Sequence, residues 1–232
     1  MAVDQKAAER YTADDIQVLG GMEAVRLRPG MYIGSTDLTG LHQLIYEIVD
    51  NSVDEFMAGR GSRVDIRIFE DGTVRVEDDG FGIPVDTHSV TGLSAVETVM
   101  TTLHAGGKFG GKAYRISGGL HGVGASVVNA LSSQFRVEVQ RDGKLYHQDF
   151  SKGERLTDLV SEKLGPSANG TSSGTGTTVI FKPDLEIFPE IVYDFAVLAQ
   201  RFKEMAYLNK GLDIQFRSDW HTELWPNNEV SY

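Results

Sequence analysis

Residues 44–59 read LIYEIVDNSVDEFMAG, and this segment decides how the fold is interpreted. Its spacing is that of a helix packed on a core, with an apolar stripe formed by Leu44, Ile45, Ile48, Val49, Val53, Phe56 and Met57. A second face of the same helix is acidic and carries Glu47, Asp50, Asn51 and Asp54. No Lys or Arg lies between positions 41 and 59, although like charges at this spacing repel each other. The acidic face therefore raises the question of what it binds.

The composition is that of an ordinary globular protein. The chain has 232 residues, 41% hydrophobic and 24% charged, which is enough for one large domain or two small ones. Acidic residues outnumber basic ones by 33 to 22, so we do not expect this domain to bind DNA directly through a basic surface. The sequence contains no cysteine, which excludes disulfides, thiolate zinc sites and cysteine nucleophiles.

No apolar run approaches the ~20 residues of a membrane span, and residues 1–11 are too polar for a signal peptide. We therefore expect a soluble, cytoplasmic protein with no membrane partner. A polar arm is predicted over residues 1–15, followed by a folded domain over residues 16–232.

The rest of the sequence alternates short helices with β-hairpins. A short amphipathic segment spans residues 16–28, and further helices are predicted at 93–103, 125–131 and 188–208. Alternating apolar strands meet at Asp71-Gly72 and again at Asp142-Gly143, which predicts two hairpins. Additional strands are predicted at 177–181 and 212–217. This arrangement favours an α+β sandwich with a mixed, mostly antiparallel sheet and helices on one face.

Three segments are candidate sites, and the first is the acidic helix face. Glu47 and Asn51 are one turn apart, so both side chains could reach one phosphate–metal assembly. An amide oxygen can hold Mg²⁺ while a carboxylate orients water. The alternative is a face that is merely solvated.

The second candidate is VEDDGFGIP at residues 76–84. Its two spaced glycines permit a ligand to approach the backbone closely. The Asp78 carboxylate could accept a hydrogen bond from the exocyclic amine of adenine, whereas guanine presents an acceptor there and would be repelled. A tight turn after a strand is the alternative, because Asp-Gly and Gly-x-Pro are turn formers.

The third candidate is the glycine-rich SGGLHGVGAS, which begins at Ser117 within the glycine-rich stretch HAGGKFGGKAYRISGGLHGVG of residues 104–124. It ends by opening a helix, so its N–H groups could hold phosphates. It is not a Walker A loop, which needs a Lys-Ser/Thr pair. It is not a dinucleotide fingerprint either, because no buried strand precedes Gly118. Taken alone, it could equally be a flexible linker.

Together, the segments EIVDNSVDE, EDDGFGIP, GGLHGVGASVVNAL and GTGTTVIF resemble the ATP-binding fold of the GHKL superfamily. That superfamily includes type II topoisomerases, Hsp90 chaperones, MutL-type repair proteins and histidine kinases. The blocks EAVRLRPGMYIG and LHAGGKFGGKAYRISGGLHGVG are similar to those of the N-terminal ATPase domains in the B subunits of bacterial gyrase and topoisomerase IV. The resemblance runs from residue 11 to residue 213 and implies a GHKL ATP-binding domain over residues 16–232.

The resemblance implies ATP and Mg²⁺ as ligands and gives roles to the matching residues. Glu47 corresponds to the general base that activates water, and Asn51 to the Mg²⁺ ligand. Asp78 corresponds to the carboxylate that reads adenine, supported by Thr177 through an ordered water. The remaining nucleotide contacts it implies, some of them weaker, are Asp50, Asp54, Gly82, Ile83, Pro84, Met100, Lys108, Tyr114, Leu120, His121, Gly122, Val123, Gly124 and Arg141.

Within that set, the resemblance implies that backbone N–H groups of residues 120–124 hold the triphosphate. Lys108 and Tyr114 correspond to lid residues near the nucleotide, and Arg141 corresponds to an arginine at the pocket mouth. In phosphoryl transfer the protein contributes mainly positioning and charge neutralisation, which this set of residues can supply.

The sequence departs from the family at Phe81, where many members carry Arg within DDGRGIP. That arginine commonly pairs with the acidic residue corresponding to Glu55. We therefore expect Glu55 to lose this partner and the pocket rim to be more apolar, with altered inhibitor binding at the rim.

The family's complete subunit continues into transducer and cleavage modules that these residues do not include. We therefore expect weak hydrolysis and a monomer. The implied partner is the A subunit of gyrase, or of topoisomerase IV, in an A2B2 complex that holds DNA. Tyr11 and Ile16 match arm residues that cross the ATP-bound dimer, which gates strand passage and negative supercoiling.

The sequence leaves other functions as alternatives. Topoisomerase IV, which decatenates DNA, is the first alternative. The segments RPGMYIG and HAGGKF disfavour a histidine kinase and also a chaperone or mismatch-repair clamp, because none of these classes accounts for them. A nucleotide-binding module without catalysis is disfavoured by Glu47.

Overall fold

The computed structural model describes residues 20–105, 122–164 and 174–232. Within these ranges the helices are α1 Gly21–Leu27, α2 Gly30–Ile33, α3 Leu38–Met57, α4 Ala95–Thr101, α5 Gly124–Ala130 and α6 Phe195–Leu208. The strands are β1 Arg63–Ile68, β2 Val74–Asp78, β3 Ser132–Arg141, β4 Lys144–Ser151, β5 Glu154–Arg155, β6 Val160–Lys163, β7 Gly176–Pro183, β8 Asp213–Ser218 and β9 Glu229–Ser231. The predicted arm over residues 1–15, with Tyr11, and also Ile16 lie outside the described residues.

Helix α3 is the long helix predicted from the opening segment, extended at its N-terminal end. It begins at Leu38 because the Asp37 carboxylate caps it, accepting the N–H of Thr39 at 2.8 Å. The apolar stripe lies in the core, where Leu44, Ile45 and Val49 have no exposed surface. Met57, the last residue of the helix, is 39% exposed. The amphipathic pattern therefore located the buried face of this helix correctly.

The strands form one sheet in the order β5-β4-β3-β7-β2-β1-β8-β9, with β6 paired to β4. Among the described strands, β1 and β8 pair in parallel and all other pairs are antiparallel. Alternate residues of β1 and β2 are buried, and α3 packs against both strands. This confirms the predicted α+β sandwich with a mixed, mostly antiparallel sheet.

Both predicted hairpins are present. β1 and β2 are joined through Asp71 and Gly72, where Gly72 has a φ of +79° and the Asp71 carboxylate accepts the N–H of Thr73 at 3.0 Å. β3 and β4 are joined through Asp142 and Gly143, whose φ values of +52° and +70° are those of a type I′ turn. Short turn residues with positive φ therefore set both hairpin registers.

Helix α6 differs from the prediction, which was wrong over residues 188–194. Phe188 is fully buried in the core instead of starting a helix. The helix begins after Asp194, whose carboxylate accepts the N–H of Val197 at 3.0 Å. The N–H of Asp194 donates to Nε2 of His42 on α3 at 3.0 Å. The helix therefore begins where Asp194 caps it, and Asp194 is itself bonded to a histidine that is distant in sequence. No local sequence pattern reveals that contact.

No helix in the described ranges has the length and apolar character that crossing a membrane requires.

Candidate active site

The polar face of α3 presents Glu47 and Asn51 together. Both residues are half-buried. The Nδ2 of Asn51 donates to the backbone oxygen of Glu47 at 2.8 Å, so the amide nitrogen is committed to its own helix. The Nε2 of Gln43 donates to Oε1 of Glu47 at 2.7 Å. Gln43 therefore orients the carboxylate, and sequence reasoning did not identify this role.

Asp54 differs from the other acidic residues of the predicted face. It has no exposed surface, whereas Glu47, Asp50 and Asn51 keep part of theirs. Asp54 therefore does not reach the surface that Glu47 and Asn51 share. Its predicted nucleotide contact stays a prediction.

Asp78 ends β2 and points to the helix side of the sheet, as Val76 does. Its carboxylate accepts three hydrogen bonds: Ser52 Oγ at 2.9 Å, Gly80 N at 3.0 Å and Thr177 N at 3.2 Å. Thr177 lies directly opposite Asp78 in the β2–β7 pairing. Thr177 thus contacts the carboxylate through its own N–H, and the contact through an ordered water stays a prediction. Ser52, on α3, was not predicted.

The Asp78 carboxyl group is surrounded by protein atoms even though the residue keeps some exposed surface. Burial, with a smaller contribution from the charge of Glu55, raises its pKa to about 6 against the opposing hydrogen bonds from Gly80, Ser52 and Thr177. The group is thus a strong hydrogen-bond acceptor that is still mostly ionised at neutral pH. A buried acceptor of this kind suits an amine donor on a ligand.

The turn after Asp78 contains glycine at a position where neighbouring atoms leave no room for a side chain. Gly82 has a φ of +75°, and a Cβ placed there would lie 2.9 Å from Cγ1 of Val139. The guanidinium of Arg141 donates to the Gly82 oxygen at 3.0 Å, which places Arg141 beside this turn, and its place at the pocket mouth stays a prediction. Ile83 is half-buried against the core and Pro84 is exposed.

The start of α5 lies against Glu47. A Cβ on Gly124 would collide with Oε2 of Glu47 and would lie 3.3 Å from its Cδ. Gly122 has a φ of +60°, which favours glycine, and Val123 is half-buried. The described end of the predicted phosphate segment therefore meets the predicted general base. The predicted residues Lys108, Tyr114, Leu120 and His121 lie outside the described residues, and Met100 is buried in the core with 1% exposure.

Comparison with known proteins identifies the family. Residues 36–187, more than half of the chain, match the family described as histidine kinase-, DNA gyrase B-, and HSP90-like ATPase. The chain belongs to this ATPase family. Among the structural neighbours of this family member is the 43K ATPase domain of Thermus thermophilus gyrase B in complex with an aminocoumarin. It has a TM-score of 0.77 and 42% identity over 91% of this chain and 50% of that chain.

Relatives of this histidine kinase-, DNA gyrase B- and HSP90-like ATPase include the B subunit of DNA gyrase from Streptococcus pyogenes serotype M1. It is 54% identical over 90% of this chain and 31% of its own length. The B subunit of DNA gyrase from Halalkalibacterium halodurans is 54% identical over 89% of this chain and 32% of its own. The chain thus spans about a third of the length of the curated relatives it matches.

In this ATPase Glu55 lacks an arginine at position 81, but an arginine from another position lies beside it. The Nη1 of Arg60 lies 3.8 Å from Oε1 of Glu55, and the Arg60 guanidinium lies 5.4 Å from the centre of the Phe81 ring. The N–H of Phe81 also approaches Oε2 of Glu55 at 3.4 Å. Arg60 follows the end of α3, so the cation reaches the rim from another element and stacks on the aromatic ring.

We predict that Arg60→Ala raises the pKa of Asp78 above its present value of about 6. Arg60 offsets the Glu55 charge that already raises this pKa, so its loss strengthens the effect. Carboxyl NMR of Asp78 across a pH series would measure the shift. Arg63→Ala is the control, because Arg63 pairs with Asp65 at 3.1 Å. An unchanged Asp78 pKa in Arg60→Ala would contradict the argument.

Proposed function

We propose that this chain binds ATP with Mg²⁺, hydrolyses it, and serves as the ATPase domain in the B subunit of a bacterial DNA gyrase. In the whole protein, ATP-driven dimerisation would gate DNA strand passage and negative supercoiling. The gyrase B relatives and the structural neighbour support this proposal over topoisomerase IV, which stays the alternative.

The observation that carries the proposal is that α3 contacts both ends of the candidate site. Ser52 touches the Asp78 carboxylate, and Glu47 touches Gly124 at the start of α5. These two residues are five positions apart on one helix, or roughly 7.5 Å along its axis. One rigid helix thus links an adenine-reading acceptor to a phosphate-side carboxylate, the two ends of a nucleotide site.

The residues present fit a Mg²⁺ ion held in part by the nucleotide. Within the described ranges, no group of three His, Cys, Asp or Glu residues could hold a metal by itself. Mg²⁺ in nucleotide sites is bound by one or two protein oxygens together with phosphate oxygens and water. Asn51 would supply the protein oxygen, because its Nδ2 is already used within α3. Bound there, the ion would neutralise charge on the phosphates.

Glu47 would act as the general base. Its carboxylate is half-buried, is oriented by Gln43 and lies next to Gly124. A positioned carboxylate can take a proton from a water molecule as that water attacks the terminal phosphorus. The proton would move to a carboxylate oxygen while the water oxygen bonds to the terminal phosphorus. The bond from that phosphorus to the β,γ-bridging oxygen would break, so that ADP leaves and inorganic phosphate is formed.

Calorimetric titration with ATP and with GTP tests the proposal. We expect ATP to bind in the presence of Mg²⁺ and GTP to bind more weakly, because guanine places an acceptor opposite the Asp78 carboxylate. Equal affinity for the two nucleotides would count against adenine reading at Asp78. No binding of either nucleotide would refute the proposed function.

The partners follow from the same proposal. The A subunit of gyrase would complete an A2B2 complex, and DNA would be held by that complex instead of by this acidic domain. The chain alone would be a monomer, and the protein would act in the cytoplasm. A supercoiling assay with the cognate A subunit separates gyrase from topoisomerase IV, because only gyrase introduces negative supercoils.

A further inference from the structure

Asn129, on α5, is fully buried and uses both ends of its side-chain amide. Its Nδ2 donates to the backbone oxygen of Met100 on α4 at 2.9 Å. Its Oδ1 accepts the N–H of Gly153, in the turn between β4 and β5, at 3.3 Å. One side chain therefore ties α5 to a second helix and to the sheet.

Helix α5 depends on such ties because it is short. It has seven residues, from Gly124 to Ala130, and a helix of this length is not stable in isolation. Arg26 of α1 also donates to the Ala130 oxygen at 2.8 Å. Tertiary hydrogen bonds near the C-terminal end of α5 thus fix its position.

The other end of α5 carries the contact that matters for the site. Gly124 lies so close to the Glu47 carboxylate that even a methyl group does not fit between them. A rigid helix passes a displacement at Asn129 on to Gly124, about 7.5 Å away along the axis. Any shift of α5 would therefore change the gap between Gly124 and Glu47.

We propose that Asn129 is a positioning residue for the phosphate side of the nucleotide site. By tying α5 to α4 and to the β4–β5 turn, it holds Gly124 against the Glu47 carboxylate. It acts through α5 and touches no part of the nucleotide. This inference rests on the proposed function, because it assumes that the triphosphate lies beside Glu47 and Gly124.

The test compares two ligands that share adenine and differ in phosphate. Binding of adenosine and of the non-hydrolysable analogue adenosine 5′-(β,γ-imido)triphosphate with Mg²⁺ is measured by NMR titration in wild type, Asn129→Ala and Asn129→Ser. We expect the analogue to lose about tenfold in affinity, because Asn129→Ala removes both hydrogen bonds that hold Gly124 in place beside Glu47. Adenosine, which depends on Asp78, should change by less than about twofold.

Ser132→Ala is the matched control. Ser132 is fully buried just beyond α5, and its Oγ donates to the Val128 oxygen at 2.7 Å without reaching α4. Its loss should lower stability without separating the two ligands. If Asn129→Ala does not fold, Asn129→Ser, which leaves a smaller cavity, provides the same comparison.

The outcomes separate this inference from the proposed function. A loss confined to the analogue in an Asn129 variant supports the positioning role. Equal losses for both ligands, or an unchanged analogue affinity, would overturn it. A wild-type chain that binds neither ligand would instead overturn the proposed function itself.

Discussion

Replacing Glu47 with alanine is expected to abolish ATP hydrolysis and to leave nucleotide binding measurable. A general base contributes about 10²–10⁴-fold to a rate, and its removal leaves the adenine-reading carboxylate of Asp78 intact. Phosphate release with protein in excess measures hydrolysis, and calorimetry with the non-hydrolysable analogue measures binding.

Gln43→Ala is the matched control for this change. Gln43 lies on the same helix and donates to Oε1 of Glu47 at 2.7 Å, so its loss loosens the carboxylate without removing it. We expect a smaller fall in rate than in Glu47→Ala. Loss of both hydrolysis and binding in Glu47→Ala would show that Glu47 is needed to form the site and would contradict its role as a base.

The second large effect is expected at Asp78, where Asp78→Asn should weaken ATP binding by about 1–3 kcal/mol and yet stabilise the fold at neutral pH. Binding falls because the amide cannot provide the charged acceptor that an adenine amine requires. The fold gains because the buried charge is removed while the Asn oxygen still accepts from Gly80 and Thr177. The hydroxyl of Ser52 can turn to accept from the new amide nitrogen.

The direction of the stability change follows from the raised pKa. The native Asp78 carboxyl has a pKa of about 6 against an ordinary value of 3.8. Between these values the native state binds more protons than the unfolded state, so stability falls as the pH rises through this interval. Asparagine does not titrate, so the variant does not lose this stability as the pH rises. The gain of Asp78→Asn is therefore full above about pH 6 and disappears near pH 4, with a size of roughly 1–3 kcal/mol.

Denaturant unfolding across this pH range would measure the gain, and calorimetry would measure the affinity. Asp79→Asn is a neighbouring control of opposite sign. Burial raises the Asp79 pKa, but hydrogen bonds from Ser62 and Arg63 outweigh it and leave the pKa below its ordinary value. Asp79→Asn should therefore destabilise the fold at neutral pH. Unchanged ATP affinity in Asp78→Asn would remove Asp78 from the site.

The parts of the fold that depend on local sequence could be predicted. The period of α3 located its buried stripe, and Asp-Gly turns located both hairpins, because these signals act over a few residues. The start of α6 could not be predicted, since it depends on a bond between Asp194 and His42 of α3. The parallel pairing of β1 with β8 is likewise fixed by contacts between distant parts of the chain.

The candidate site shows the same division. Glu47, Asn51 and Asp78 lie in distinctive motifs, so their residue types and spacing indicated a nucleotide-binding site. Gln43 and Ser52, which support these residues, lie in no such motif. Their roles become visible only in the folded structure, where each donates a hydrogen bond to a carboxylate. Arg60 was missed for another reason, because the cation at the rim comes from a different position along the chain than the family pattern indicates.

The pairing of β1 with β8 also has a consequence for how the protein is made. Arg67 in β1 reaches Asp219, which follows β8, across 152 positions of sequence. While the chain emerges from a ribosome, β1 and β2 can form their hairpin early, but the far side of β1 stays an open edge until β8 has been synthesised. Open edges invite pairing with other chains. The nascent polypeptide therefore passes through a long aggregation-prone interval that ends only when β8 has been synthesised and has paired with β1.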